Sequence, residues 1–597
     1  MIATLLRFVS ARLVSLLAGV VVLAVLVAVG CGGSSDAASG VAVFPAHGTP
    51  TASPKTQISF RGEAPSELTG IKVKGSSSGT HGGKLKAHSD GDGASFIPNK
   101  DFKPGETVTV DADLDLLGDD GKVKFKIGRR ARIGVPKEIR ADPGGTPEGS
   151  QKFRSRPGLR PLTLKVTQKG ERASNSNIFV ALKAGAGQDG PTIFDQNGRV
   201  VYFKRVPKFK SAFDFRVQQY KGEPVLTYWE GGVYHGQGDG EGVIMNNAYK
   251  EIERVHAGNG YKMDFHEFTL SRDNTALILI YQPIEADLRK VGGSKRGSVL
   301  EGIVQEIDIP TGLVMYEWHS LGNISPKESY TKVSSEHPYD ITHLNSIFEE
   351  ENGNLLVSAR ETHAALELDR KSGKVKWRLG GRKSDYKMSG GSQFIAQHHI
   401  SRLDNGRLTV FDNGSPPSPG RPARGLALNV NEDEEKVTVA RSVKRSKNAL
   451  SPSQGSMQGL PNGNYMVGWG GDSPYVSEFT SGGKRVFDAH FIPPTVDTYR
   501  AWRFPWVGKP TSKPDIFAQV GGGQTGVYAS WNGATEVDQW EVLAGPTAAT
   551  LLPREKADRK GFETRIVIDG THDYVAVRAL DGDGNVLGTS KTVQPKG

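Results

Sequence analysis

ENGNLLVSARETHAALELDRKSGKVKWRLGG, residues 351–381, is one unit of a repeat, and its reading decides the fold. It opens on Asn352-Gly353, a pair suited to the positive φ of a two-residue hairpin, and runs on as a short apolar strand. A second hairpin follows, with Ser372-Gly373 at its tip and an outer strand that carries Trp377. Two hairpins make a four-stranded antiparallel sheet. The first signature returns in QNGRVVYF, DNTALILIY, DNGRLTVFD and PNGNYMVGW, and the second in EIDIPTGLVMYEWHS and EFTSGGKRVFDAHF. Units spaced roughly fifty to eighty residues apart predict an all-β chain with a six-bladed β-propeller over 176–510. TIFDQNGRVVYFKR reads as outer strands without an inner hairpin, so it is expected to complete a blade begun by the C-terminal end of the repeats.

Outside the repeats the pattern changes. QISFRG, GIKVKGS, VTVDADL and KVKFKIG alternate with period two between Gly, Pro and Asp clusters, which predicts an Ig-like N-terminal β-sandwich over 57–135. Asp90-Gly91-Asp92-Gly93 lacks the remaining spacing of a calcium loop and reads as a turn. A linker is expected over 136–175. VYASWNGATEVDQWEVLAG, ETRIVIDG and YVAVRALDGDGNVLGTS predict a fibronectin III-like sandwich over 513–597. Both flanking units read as spacers without chemistry.

At the N-terminus, Arg7 and Arg12 precede an almost uninterrupted apolar run, Leu13 to Val29, followed by Gly30-Cys31-Gly32-Gly33. A basic flank, an apolar stretch and small residues make an export signal over 1–31. Cys31 sits at its end like the lipidated cysteine of a bacterial lipobox, with a flexible tether over 32–56. An uncleaved membrane helix is the alternative, because the run is nearly long enough to span. Either way the chain is expected to be exported and anchored to the outer face of the cytoplasmic membrane. Cys31 is the only cysteine, so stability must come from burial and sheet pairing rather than disulfides. The net charge of +10 is spread along the chain with no basic run interleaved with aromatics, which argues against a nucleic-acid partner.

Chemistry is expected just upstream of the repeat turns. His266 lies eight residues before Asn274, His343 nine before Asn352 and His398 seven before Asn405, so consecutive units bring histidines to one channel. Arg360 directly follows the innermost strand of the His343 unit, and Asn345, two residues after His343, is expected on the same strand face. His363 falls in a loop and ranks below these. Strand alternation lets only one of His398 and His399 face inward, and His398 is favoured. Tyr281, Tyr339, Trp469 and Tyr475 suit either blade packing or the stacking of an aromatic ring. No carboxylate obviously completes a metal centre with the histidines, so no metal is assigned. A neutral imidazole is a competent nucleophile near pH 7, and an Arg fork suits a tetrahedral oxyanion. Together they fit transfer of a phosphoryl-like or sulfuryl group. A binding protein without chemistry and a metal-dependent hydrolase are the rival readings.

DFHEFTL, THLNSI, NLLVSARETHA, VKWRLGG, QHHISRLDNGRLTVFDNG, SQGSMQGLPNGNYMVGWG and YRAWRFPW resemble tracts of the PAPS-independent bacterial arylsulfotransferases, in particular the actinobacterial-type branch. The resemblance covers about 176–510. It implies a six-bladed propeller in which a channel histidine takes a sulfuryl group from an aryl sulfate and passes it to a phenol. His398 is then the nucleophile, with His343, Asn345, His266 and Arg360 holding the sulfuryl oxygens. It also implies aryl sulfates and phenols as small-molecule partners, beside the membrane that the N-terminus would engage, and no cofactor. The disulfide of Gram-negative relatives cannot form here.

Overall fold

The repeated turns are built differently from the expected two-residue hairpin. Only the Gly of each Asn-Gly pair takes a left-handed φ, +77° at Gly198, +82° at Gly353, +80° at Gly406 and +78° at Gly463. Its N–H closes on the carbonyl three residues earlier, as from Gly353 to Glu350 at 3.0 Å and from Gly406 to Leu403 at 2.8 Å. Each is therefore a four-residue turn whose last position needs positive φ, a conformation glycine adopts without a Cβ clash.

A computed structural model describes residues 40–131, 149–183, 188–234, 236–415, 420–471 and 474–597. The expected signal segment and Cys31 lie outside these residues. The described chain is all-β, and its only helical elements are two 3-10 turns, Arg289–Val291 and Pro326–Glu328. No described helix is long and apolar enough to cross a membrane.

Six sheets occupy the repeat region, antiparallel except where Tyr339–Asp340 and Lys387–Met388 each add a short parallel strand. The first combines Asn177–Lys183, Gly190–Phe194 and Val200–Phe203 with Asp497–Phe504 from the far end of the repeats, in the register Phe179↔Trp502 and Val180↔Ala501. The next four begin with Ser211–Tyr220, Phe268–Leu270, Leu344–Glu349 and His398–Arg402, each followed by three further strands in chain order. The sixth runs Ser456–Gly459, Tyr465–Gly468, Tyr475–Phe479, Arg485–Ile492 and takes Thr163–Lys169 on its outer edge.

Side chains tie each sheet sideways to the next. Trp502 Nε1 donates to Asp214 at 2.9 Å, Arg216 donates to the Phe268 carbonyl at 2.9 Å, and Ile347 N–H donates to Glu267 at 3.3 Å. Ile400 N–H donates to Ser346 Oγ at 3.0 Å and Thr409 Oγ1 to the Met457 carbonyl at 3.4 Å. Ser456 Oγ meets both the N–H and the carbonyl of Ala501 at 3.2 Å, which ties the sixth sheet to the first.

Two further pairs of sheets flank these. Near the N-terminus, one sheet has the order Ala42–Phe44, Ile58–Arg61, Gly93–Pro98, Gly83–Ala87, and its neighbour the order Gly79–His81, Lys72–Gly75, Thr107–Asp111, Val123–Lys126. They share one core that includes Phe60, Val73, Val108 and Phe125. Residues 40–56, read from sequence as tether, are part of this structure: Val43 pairs with Phe60, and Phe44 packs edge-on to Tyr316 at 4.8 Å. Their Ser, Thr and Pro content masked a short strand whose apolar residues are all buried. Similarly, Thr163–Lys169, inside the expected linker, pairs with Arg485–Ile492. At the C-terminal end a three-stranded and a four-stranded sheet enclose Trp540, Val527 and Val577.

Trp502, 3% exposed on Asp497–Phe504, should be costly to truncate. Trp502→Ala is expected to lower unfolding free energy by about 3–5 kcal/mol, as for buried aromatics generally. Val586→Ala, at 54% exposure, should change it by no more than about 0.5 kcal/mol in the same denaturant titration.

Candidate active site

The ends of the first strands bring His266, His343 and His398 together. His266 and His343 meet edge to face with ring centroids 4.8 Å apart. Tyr281 lies 5.5 Å from His266 and 5.6 Å from His343, and Tyr499 lies 5.7 Å from His266 and 6.5 Å from His398. His266 and His398 are buried, whereas the His343 side chain keeps 20% of its surface.

All three rings are anchored through Nδ1. Asp264 Oδ1 accepts both the backbone N–H of His266, at 2.9 Å, and its ring Nδ1. Asp340 repeats the device, with Oδ1 on the His343 N–H at 2.9 Å and Oδ2 on Nδ1 at 2.7 Å. A carboxylate only accepts, so Nδ1 carries the proton in both cases. His398 Nδ1 instead meets Asn413 Oδ1 at 2.8 Å. Asn413 Nδ2 donates to the carbonyls of Ser451, at 3.0 Å, and Gln454, at 2.9 Å, so its oxygen must be the atom that faces the ring. His398 therefore also carries its proton on Nδ1 and presents a lone pair at Nε2. The Gln454 N–H reaches that lone pair at 3.2 Å.

The anchors set different charge states. Burial, with Arg360 adding to it, pushes His398 well below the ordinary histidine value, and the neutral Asn413 offsets little of this. Burial also lowers His266 despite Asp264. For His343 burial is opposed and outweighed by Asp340, which holds the ring above the ordinary value. The site thus contains one imidazole that favours its proton and two that resist one. A neutral His266 with its proton on Nδ1 offers an acceptor at Nε2, not the donor to a sulfuryl oxygen expected from the resemblance.

The remaining expected residues are close but differently employed. Arg360 pairs with Glu361 and donates to the Pro452 carbonyl at 3.1 Å, which stretches its guanidinium from the His343 sheet toward the loop beneath His398. Asn345 does not follow the simple alternation expected of it. The pairing shifts between Leu344 and Ser346, and Asn345 Nδ2 donates to the Gln397 carbonyl at 2.8 Å, bracing the residue before His398. A shift at His399 likewise separates the two adjacent histidines. His399 takes φ +45°, packs against Trp502 at 4.8 Å and accepts from Met457 N–H at 3.4 Å. Its electrostatic neighbours are Arg500, Glu267 and Arg216, while those of His398 are Arg360, His343 and His266. His398 therefore belongs to the cluster and His399 to the layer beneath.

That layer was not anticipated. Arg500, whose side chain is 0% exposed, donates to Asp214 at 2.9 Å and Glu267 at 3.1 Å, and to the carbonyls of His266 at 3.1 Å and Asn345 at 2.6 Å. Tyr499 Oη stands 3.0 and 3.1 Å from the same two carbonyls, which share its one proton. Glu267 is buried, yet Arg500 and Arg216 hold it down at about 2. Lys183, paired with Asp497, donates to Gln454 Oε1 at 3.2 Å and so steadies the residue whose N–H faces His398. The acid two or three residues before a histidine, in DFH and DITH, was the readable signal for the anchors. Tyr281 faces the cluster, whereas Trp469 and Tyr475 pack within the sixth sheet and Tyr339 donates to the Pro326 carbonyl. Among the described residues no group of three or more His, Cys, Asp or Glu is placed to hold a metal ion.

Arg500→Leu should strand Asp214 and Glu267 against the single cation Arg216 and leave the His266 and Asn345 carbonyls to the one hydroxyl of Tyr499. The expected loss is about 3–5 kcal/mol of stability by chemical denaturation, the usual cost of breaking a buried pair from one side. A loss below about 1 kcal/mol would mean that the network is not holding the strands.

Among solved structures, the chain is similar to a protein of unknown function from Bacteroides caccae, at 15% identity and TM-score 0.34 over 55% of this chain and 98% of that one. It is also similar to virginiamycin B lyase from Staphylococcus aureus, at 8% identity and TM-score 0.29 over 61% and 95%. Likenesses this weak carry no argument. No curated protein matches. A family model described as arylsulfotransferase (ASST) matches residues 216–492. That span holds His266, His343, Arg360 and His398, and its match supports the arylsulfotransferase family for the part of the chain that builds the histidine cluster.

Proposed function

We propose that this chain is an aryl-sulfate sulfotransferase of the actinobacterial-type branch, working by double displacement through a sulfo-histidine and without a nucleotide sulfate donor. The six sheets act as blades of a propeller around the histidine cluster, and the terminal sheet pairs as sandwiches. Export, with anchoring through Cys31, would place the site where phenols and their sulfate esters are available and nucleotide donors are not. The observation that carries the reading is His398: buried, neutral, with its proton fixed on Nδ1 and its lone pair on Nε2.

In the first half-reaction Nε2 of His398 bonds to sulfur as the bond from sulfur to the aryl oxygen breaks. The departing phenolate takes the proton of His343, the one ring of the cluster held above its ordinary value. Arg360 stabilises the sulfuryl oxygens, and the Gln454 N–H, displaced from the lone pair, turns to one of them. The Nδ1 proton stays on the ring and remains bonded to Asn413. An acceptor phenol then returns its proton to His343 while its oxygen attacks sulfur, and His398 is released. Arg360, already held by Glu361 and the Pro452 carbonyl, acts without reorganising, and such a donor is worth on the order of 3 kcal/mol of transition-state stabilisation.

Release of a chromophore from an aryl sulfate in the presence of phenol tests this. His398→Ala should lose on the order of 10³-fold or more of kcat, as nucleophile deletions do. His399→Ala should lower stability and leave the chemistry in place. Activity that survives His398→Ala and vanishes with His399→Ala would overturn the assignment. The pH dependence has a set sign. His398 resists protonation, so the acidic limb should lie below pH 6.5. His343 keeps its proton past its ordinary value, so activity should fall only as pH rises above 6.5. Asp340→Asn removes the cause of that rise and should move the basic limb to lower pH.

A further inference from the structure

The loop histidine His363 lies outside the machinery above, yet it is 6% exposed and its Nε2 has no hydrogen-bond partner. Its ring stacks on Tyr330 at 4.1 Å and 10°, and the Arg382 guanidinium lies over the Tyr330 ring at 4.1 Å from its centroid. Three flat groups thus form one wall. The wall stands beside the histidine cluster, because the His363 N–H donates to the Arg360 carbonyl at 3.1 Å and the Arg360 N–H to the His343 carbonyl at 3.1 Å. Arg421 stands near enough to act on the charge of His363, and its backbone N–H is bonded to the carbonyl of Gly414, next to the Asn413 that anchors His398.

Positive charge is in excess here. Arg360 has Glu361, while Arg421 and Arg424 share the single carboxylate of Asp412 at 2.8 and 2.7 Å. Arg382 adds a further cation whose contact is the Tyr330 ring. Arg421 Nε is buried without a partner. Burial, then Arg360, Arg382 and Arg421, lower His363 to about 4, so the ring is neutral and adds no charge of its own. An unpaired guanidinium N–H, surplus positive charge and a flat aromatic wall are what an anionic group on an aromatic molecule requires.

We propose that His363, Arg382 and Arg421, set around the Tyr330 ring, form an anion subsite that takes a sulfonate, carboxylate or second sulfate carried by an aromatic substrate of the histidine cluster. The aromatic part rests on the aryl-transfer reading, whereas the binding of the anion does not. Phenols bearing a negative substituent are then the favoured acceptors.

Calorimetry on the full chain without any sulfate donor separates the two parts. The wild type should bind 4-hydroxybenzenesulfonate at least about tenfold more tightly than 4-methylphenol, the worth of one charge-assisted contact. Arg382→Gln, at an exposed position, and His363→Leu should each lose that preference. Equal affinities in the wild type, or a preference kept in both variants, would overturn the subsite. If neither phenol binds, the aromatic reading fails and inorganic sulfate becomes the probe. Sulfate bound by the wild type and released in Arg382→Gln supports the subsite alone, and no sulfate binding overturns it.

Discussion

The guanidinium of Arg500 sets the terms for everything above it. Taking such a charge out of water costs several kcal/mol, and the cost is recovered only with complete pairing. Arg500 recovers most of it through its two terminal nitrogens, which meet Asp214, Glu267 and two backbone carbonyls, while Nε is left without a partner, and Arg216 balances the second carboxylate. These partners come from different sheets. Arg500 lies on Asp497–Phe504, Asp214 and Arg216 on Ser211–Tyr220, Glu267 just before Phe268–Leu270, and Asn345 on Leu344–Glu349. One side chain thereby fixes the spacing of four strand ends, including the backbone of His266 itself.

Upon that floor, the three histidines differ chiefly in what holds Nδ1. All are taken from bulk water, which alone would leave all three neutral. Asp340 holds one above its ordinary value, whereas burial leaves another neutral, its tautomer set by an amide whose orientation two carbonyls lock. Double displacement needs this separation, with a nucleophile that is free of a proton beside an acid that has one. Replacing Asn413 by a carboxylate would bring His398 toward the state of His343 and remove the difference on which the proposed chemistry depends.

Much of this was readable before any coordinates. A left-handed residue at a fixed place in the repeats, Gly in four of them and Asn274 in DNTALILIY, marks a turn because few other residues tolerate the required φ, and the pairing of Asn177–Lys183 with Asp497–Phe504 was foreshadowed by outer strands lacking an inner hairpin. The histidines were legible through their common offset from those turns. What escaped was non-local or hidden by bulges. Arg500 and Arg503 sit on opposite sides of the alternation in YRAWRFPW, so pattern alone could not mark either as buried, and their partners are more than two hundred residues away or on other sheets. The shifts at Asn345 and His399 break the two-residue period that the face assignments assumed. The short strand at Ala42–Phe44 was hidden in a stretch whose composition is that of a tether.

The central claim is that the neutral, Asn413-anchored ring of His398 accepts the transferred group. It is tested most directly by mixing the full chain with an aryl sulfate in the absence of acceptor, quenching at high pH, and fragmenting the peptide that spans 398 and 399. The account predicts one sulfuryl group on His398, lost when phenol is added before the quench. A sulfuryl group on His399 or on any other residue, or chromophore release in one burst without a labelled peptide, would contradict it.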